Sequence, residues 1–181
     1  DLFYKLSENY NTIGSPYLCK YNEKYFNLNF ARDCYNAYEI AKHFGRDIKS
    51  ITEFGAGNLG LCYFLSNIYK LDNYDIIDLP SMFSLQCKIA SKLNINIKQH
   101  QHHINDLYIA SYSLTEQDID SILAHWSDTV VYYDKVFIAN NLYPGSEKEL
   151  FLNTIQKTHS IKIIKNIDMA RQNEIWLINK L

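Results

Sequence analysis

The chain of 181 residues has room for one domain of ordinary size and little more. Its 47% hydrophobic content, 21% charged residues and 3 prolines exclude a disordered tail or a collagen-like chain. Lys and Arg number 18 against 20 Asp and Glu, a net charge of −2 without the basic excess that phosphate-backbone binding needs, so no nucleic-acid partner is expected.

No apolar run approaches the roughly 18 residues of a membrane span, and Asp1-Leu2-Phe3-Tyr4-Lys5 lacks the basic-then-apolar order of a signal peptide. A soluble, cytoplasmic protein is expected. Cys19, Cys34, Cys62 and Cys87 form no CxxC pair and are read as free thiols.

Residues 1–30 are rich in Tyr, Phe and Asn, with one Gly-Ser-Pro turn at Gly14 to Pro16 and no sustained period; they read as an irregular, partly helical arm. The domain proper spans 31–181. From Ala31 the positions Cys34, Ala37, Tyr38, Ala41 and Phe44 recur every three or four residues, predicting an amphipathic helix that stops near Gly45. Short apolar runs then alternate with helix-length segments, the signature of βαβ units. Strands are expected at Ile51–Phe54, Tyr74–Asp78, Ile95–Gln99, Leu107–Ala110, Val136–Asn140, Ile161–Ile167 and Glu174–Asn179. Helices are expected at Leu59–Tyr69, Pro80–Leu93, Thr115–Ser127 and Glu147–Thr158, the second opening with proline where its missing N–H costs nothing. Only Asp168 to Asn173 separate the last two strands, too few for a crossover helix, so these pair antiparallel. The expected fold is α/β, a Rossmann-like seven-stranded, mostly parallel sheet with an antiparallel C-terminal hairpin strand and helices on both faces.

The densest chemical signal is Glu53-Phe54-Gly55-Ala56-Gly57-Asn58-Leu59-Gly60, directly after a strand and opening a helix. Glycine permits a sharp turn and a close approach of backbone to ligand. Asp78, followed by Leu79, ends the second strand, where a carboxylate accepts hydrogen bonds from ribose hydroxyls. Strand, glycine turn, helix, second strand and terminal acid together predict a nucleoside-cofactor site. Glu53 decides which cofactor: a carboxylate there repels a pyrophosphate but suits the ammonium and sulfonium of S-adenosylmethionine.

On these residues the chain resembles class I S-adenosylmethionine-dependent methyltransferases from about Ala31 to Leu181. The segments Ile51-Thr-Glu-Phe-Gly-Ala-Gly-Asn-Leu-Gly60, Ile76-Ile-Asp-Leu-Pro-Ser-Met82 and Asp106-Leu-Tyr-Ile-Ala-Ser-Tyr-Ser-Leu-Thr-Glu116 look like those of bacterial sugar O-methyltransferases. That resemblance implies methylation of a hydroxyl on a surface polysaccharide or its nucleotide-sugar precursor. A small-molecule or glycan acceptor is the expected partner, with a homodimer an open option. Two other readings stay open: an NAD(P)-dependent Rossmann oxidoreductase, and a noncatalytic cofactor-binding module.

In an open α/β sheet the ligand lies at the carboxyl ends of the strands, where strand order reverses. Ser111, Tyr112, Ser113 and Glu116 after the fourth strand should face the transferable methyl, and Asn140, Asn141 and Tyr143 after the fifth should hold the acceptor. A hydroxyl needs a base; Glu116 is placed first, ahead of His102 and His103. Among His100, Gln101, His102 and His103, one histidine is expected beside the adenine and the rest in solvent. No metal is expected, since two imidazoles without a convergent third ligand hold an ion poorly. Arg32 either pairs with the cofactor's carboxylate or makes a surface ion pair with Asp33 or Glu39. The tyrosines of the arm either pack on the sheet or form a lid.

Overall fold

The computed structural model describes residues 2–14, 16–140, 145–165 and 174–181. The amino-terminal segment is more regular than its sequence suggests: α1 (Leu2–Tyr10) precedes a hairpin of β1 (Leu18–Tyr21) and β2 (Lys24–Asn27). The hairpin turns through Asn22 and Glu23 at φ 47° and 62°, the two-residue connection that matches strand twist. Its usual glycine is missing from the sequence, which hid it. Helix α2 (Leu28–Phe44) starts before the expected Ala31 because the Asn27 side chain accepts from the Asn29 N–H at 2.9 Å. Its buried face runs through Phe30, Asp33, Asn36, Ala37 and Ile40, and Tyr38, expected on that face, is exposed.

Beyond it follow β3 (Ser50–Phe54), α3 (Gly60–Ile68), β4 (Asn73–Ile77), α4 (Pro80–Leu93), β5 (Lys98–Gln99), β6 (Leu107–Ser111), α5 (Ile119–Asp128), β7 (Lys135–Asn140), α6 (Ser146–Ile155), β8 (His159–Lys165) and β9 (Glu174–Lys180). The seven-stranded sheet has the order β5-β4-β3-β6-β7-β9-β8. Strands β3 to β7 pair in parallel, and β9 inserts antiparallel between β7 and β8. The hairpin expected from the short connection is therefore present. Two differences are local. The third strand shrinks to Lys98–Gln99 because it is an edge that meets β4 only at Asp75 and Ile76. The helix expected from Thr115 breaks into a 3₁₀ turn, Leu114–Glu116, and α5, because Asp118 caps the latter by accepting from the Ser121 N–H at 2.9 Å.

The sheet buries both faces. Ile51, Ile76, Leu107, Ile109 and Phe137 pack toward α3 and α2, and Leu6, Tyr10 and Ile13 of the amino-terminal segment share that core. Tyr108, Val136, Ile138, Trp176 and Ile178 pack on the other face with Trp126 of α5 and Phe151 of α6. Among the described residues no helix is long and apolar enough to cross a membrane.

Between β5 and β6 the chain crosses β4 and β3 through residues 100–106 alone. Parallel neighbours are normally joined by a dozen or more residues with a helix, so this short connection lies flat on the sheet and its polar groups need partners there. Asn105 supplies them: its Nδ2 donates to Ile51 O, Thr52 Oγ1 and Asp75 Oδ2 at 3.1, 2.9 and 2.8 Å. Thr52 Oγ1 also meets the Tyr133 hydroxyl at 2.9 Å. Asn105→Ala should lower the unfolding free energy by about 2–3 kcal/mol, since it strands buried acceptors; urea denaturation measures it.

Candidate functional site

Order reverses between β3 and β6, and the turn from β3 into α3 sits at the carboxyl edge of that junction. Gly55 adopts φ 68°, its N–H donates to Ile77 O at 2.9 Å, and a side chain there would collide with Ser113. The Ser113 hydroxyl in turn donates to Phe54 O. Gly60 has no room for a Cβ beside the Asp33 carboxylate and the Tyr10 hydroxyl. Each of these glycines is set by a close approach.

The turn borders a cavity of about 200 Å³ lined by Arg32, Asp33, Glu53, Gly55, Ala56, Gly57, Asn58, Gly60 and Ser111, with Tyr10 closing one side. Tyr10 donates to Asn58 O at 3.0 Å. Two carboxyls face this cavity from buried positions. Glu53, 2% exposed, accepts from the Tyr74 hydroxyl at 2.6 Å, and burial pushes its pKa up to about 8 against that bond's opposing pull. Asp33 is pushed up to about 6, again by burial, which outweighs the Arg32 guanidinium 3.5 Å away. Arg32 lies over the Tyr112 ring at 4.6 Å from its centroid. Arg32 pairs with Asp33, a buried partner in place of the surface ion pair weighed above, and it lines the same cavity.

A second cavity of about 240 Å³ is lined by Ile76, Ile77, Asp78, Gln99, His100, His102, His125 and Thr129. Asp78 is held by two donors, the Leu79 N–H at 2.8 Å and Gln86 Nε2 at 2.7 Å. Gln86 also donates to Gly57 O at 3.1 Å, tying the acid to the glycine turn. Leu79 itself is exposed. A larger cavity of about 520 Å³, lined by Tyr69, Asn73 and Lys98 among others, opens at the amino ends of β4 and β5. It is remote from the edge where ligands of open α/β sheets bind.

The other expected residues fall as follows. Ser111 ends β6 and meets Asn36 Nδ2 at 3.2 Å. Tyr112 has φ 67°, a conformation non-glycine residues adopt at some cost. Glu116 is exposed in the 3₁₀ turn, and the described lining of neither carboxyl-edge cavity includes it. Asn140 is buried at the end of β7; Asn141 and Tyr143 lie outside the described residues, as does the 168–173 connection. His103 departs furthest from its expected place. Its Nε2 is 2.6 Å from Asp75 Oδ2 on the α5 side of the sheet, where His100 Nδ1 also approaches at 3.9 Å. The expectation that no third ligand converges on the histidines is therefore overturned by Asp75, a residue on a different strand.

Sequence reasoning named Asp33 only as an ion-pair partner of Arg32 and Tyr10 only among the tyrosines of the arm, and it missed Gln86. For Asp33 a signal existed: it lies three residues after Phe30, four before Ala37 and seven before Ile40, a charge on the buried stripe of α2. His43, His125 and His159 bond Asn179, Tyr108 and the Tyr133 carbonyl respectively, in keeping with structural roles.

No protein-family model matches the sequence, and no curated protein matches it. Solved structures do match in shape. The mitomycin 7-O-methyltransferase MmcR has a TM-score of 0.62 at 11% identity, over 83% of this chain and 55% of that one. An S-adenosylmethionine-dependent methyltransferase from Clostridium acetobutylicum has a TM-score of 0.66 at 9% identity, over 83% and 92%. M. capricolum TrmK, solved with S-adenosyl-homocysteine, has a TM-score of 0.60 at 16% identity, over 82% and 67%. The chain spans about half the length of MmcR. The fold is that of the class I S-adenosylmethionine-dependent methyltransferases.

Proposed function

We propose that the protein is an S-adenosylmethionine-dependent O-methyltransferase that acts on a hydroxyl of a sugar or polysaccharide precursor. The observation that carries the cofactor assignment is the pair of buried carboxyls, Glu53 and Asp33, facing the cavity beside the glycine turn. A pyrophosphate would oppose ionisation of either acid, whereas an ammonium and a sulfonium favour it and add to the Arg32 cation already paired with Asp33. Arg32, at the same cavity, offers its guanidinium to the cofactor's carboxylate. Asp78, fixed by Gln86, accepts from the ribose hydroxyls, and His102 and Leu79 flank the adenine. At Gly57 a Cβ would meet nothing within 4 Å, so backbone and ligand can approach closely there, whereas the space beside Gly55 and Gly60 is taken by Ser113 and by Asp33 with Tyr10.

The cofactor supplies a methyl group on a positively charged sulfur, which leaves as a neutral thioether. The protein's contribution is alignment and proton removal. Ser111 and Tyr112 border the acceptor from the end of β6, and Asn140, with Asn141 and Tyr143, offers polar groups to a hydroxylated ring. Glu116, exposed just past β6, would accept the proton of the acceptor hydroxyl. The amino-terminal segment, through Tyr10, forms a wall of the cofactor cavity. His103 is left out of this set, because it is engaged with Asp75.

Incubation with methyl-labelled S-adenosylmethionine and a panel of nucleotide-sugars and polysaccharide precursors tests the reading. Label should enter a sugar hydroxyl, and Glu116→Gln should slow transfer by about a hundredfold or more. Transfer confined to nitrogen or sulfur acceptors would remove the sugar assignment.

A further inference from the structure

We propose that the protein binds a divalent metal ion of the zinc class through Asp75, His100 and His103, on the α5 side of the sheet. One ligand atom from each residue lies within 4.8 Å of those of the other two. Asp75 is 0% exposed, and its ion pairs among the described residues run only to these two imidazoles. Its Oδ1 has no hydrogen-bond partner, and neither does His100 Nδ1. Lys98, the register neighbour of Asp75 on β5, donates instead to Asn73. Buried polar atoms left unmet are costly, and with His100 Nδ1 3.9 Å from the Asp75 carboxylate one cation at this cluster satisfies both residues.

The donor set defines the ion. Two imidazoles and one carboxylate suit zinc(II) and its borderline neighbours, while magnesium and calcium prefer sites built from oxygen alone. The surrounding shell is in place: Asn105 Nδ2 orients Asp75 at 2.8 Å, and the Tyr133 hydroxyl reaches the His103 carbonyl at 3.4 Å. The His103 side chain is 46% exposed, which gives an ion its entry and leaves a position for water. Bond lengths of about 2 Å to each ligand would require the 2.6 Å contact between Asp75 and His103 to open slightly, with the ion replacing that bond. Such an ion would pin the short connection 100–106 to β4, where an ordinary crossover helix is lacking. His100 also lines the cavity that holds Asp78, so the ion would fix one wall of it. This inference does not rest on methyl transfer.

The test uses the full chain stripped with chelator and titrated with cobalt(II) as a visible probe, then with zinc(II) in competition. The expected result is one cobalt ion per chain with the ligand-field bands of a nitrogen–oxygen site, displaced by zinc, with magnesium ineffective. His103→Ala and His100→Ala should each weaken binding by more than about tenfold, and His43→Ala should leave it unchanged. His103 is half-exposed, so its variant gives an answer even if the His100 variant folds poorly. Absence of the bands, or binding that survives His103→Ala unaltered, overturns the proposal.

Discussion

Glu53→Gln should weaken binding of S-adenosylmethionine by about thirtyfold or more, the effect of removing one member of a desolvated charge pair. The same substitution should flatten the dependence of stability on pH. Glu53 in the folded chain holds its proton up to about pH 8, and Asp33 to about 6, against 4.5 and 3.8 for the unperturbed groups. Between the lower and upper values the folded chain carries more protons than the unfolded one, so stability falls as pH rises. That stability is fully present below about pH 4 and is lost as the pH climbs through 6 and 8. Glutamine keeps a buried polar group without the ionisation. The variant's melting temperature should exceed that of the parent chain above pH 8, while its cofactor affinity collapses. Thermal melts across pH, paired with a ligand titration, separate the two effects.

The second large effect lies at the turn itself. Gly55→Ala puts a methyl into the Ser113 side chain at a residue with φ 68°; left-handed backbone costs about 1 kcal/mol and overpacking about 1–3 kcal/mol. A loss of about 2–4 kcal/mol is expected, together with at least a tenfold fall in cofactor affinity, because Ser113 fastens the end of β3 through Phe54 O. Gly57→Ala is the internal control for stability. Gly57 also has positive φ, but a Cβ there meets nothing within 4 Å, so only the conformational cost of about 1 kcal/mol should appear. Denaturant unfolding of both variants checks the contrast, and equal losses would remove the role assigned to Ser113.

What could be read from the sequence was what local chemistry encodes. The alternation of apolar runs and helix-length segments places β3 to β9 to within a few residues, and the missing crossover before Glu174 dictates the antiparallel ending. Glu53 and the glycine turn announce themselves because strand, loop and helix are contiguous. Signals carried by one side chain were weaker. Asn22 without a following glycine did not mark a hairpin, and the Asp118 cap was overridden by the apolar period around it.

Contacts made through space were invisible. Asp75 reads as an acid inside a buried strand, and nothing nearby in sequence shows that residues 100–106 pass over it and bring two imidazoles. Asp33 reaches the glycine turn only because α2 packs against α3, with Gly60 granting the space. Glu116 shows the opposite failing. Its position just past β6 was read correctly, but whether it reaches an acceptor depends on how the chain beyond Ser111 folds around that acceptor, which strand position does not encode.

The central claim is that Glu53 and Asp33 select a phosphate-free cofactor carrying an ammonium over a dinucleotide. Calorimetric titration at pH 7 with S-adenosylhomocysteine and with NAD, each in two buffers of different ionisation enthalpy, tests it most directly. The account predicts binding of S-adenosylhomocysteine alone, with protons released to the buffer as its ammonium drives Glu53 to ionise. Binding of NAD in its place would contradict it.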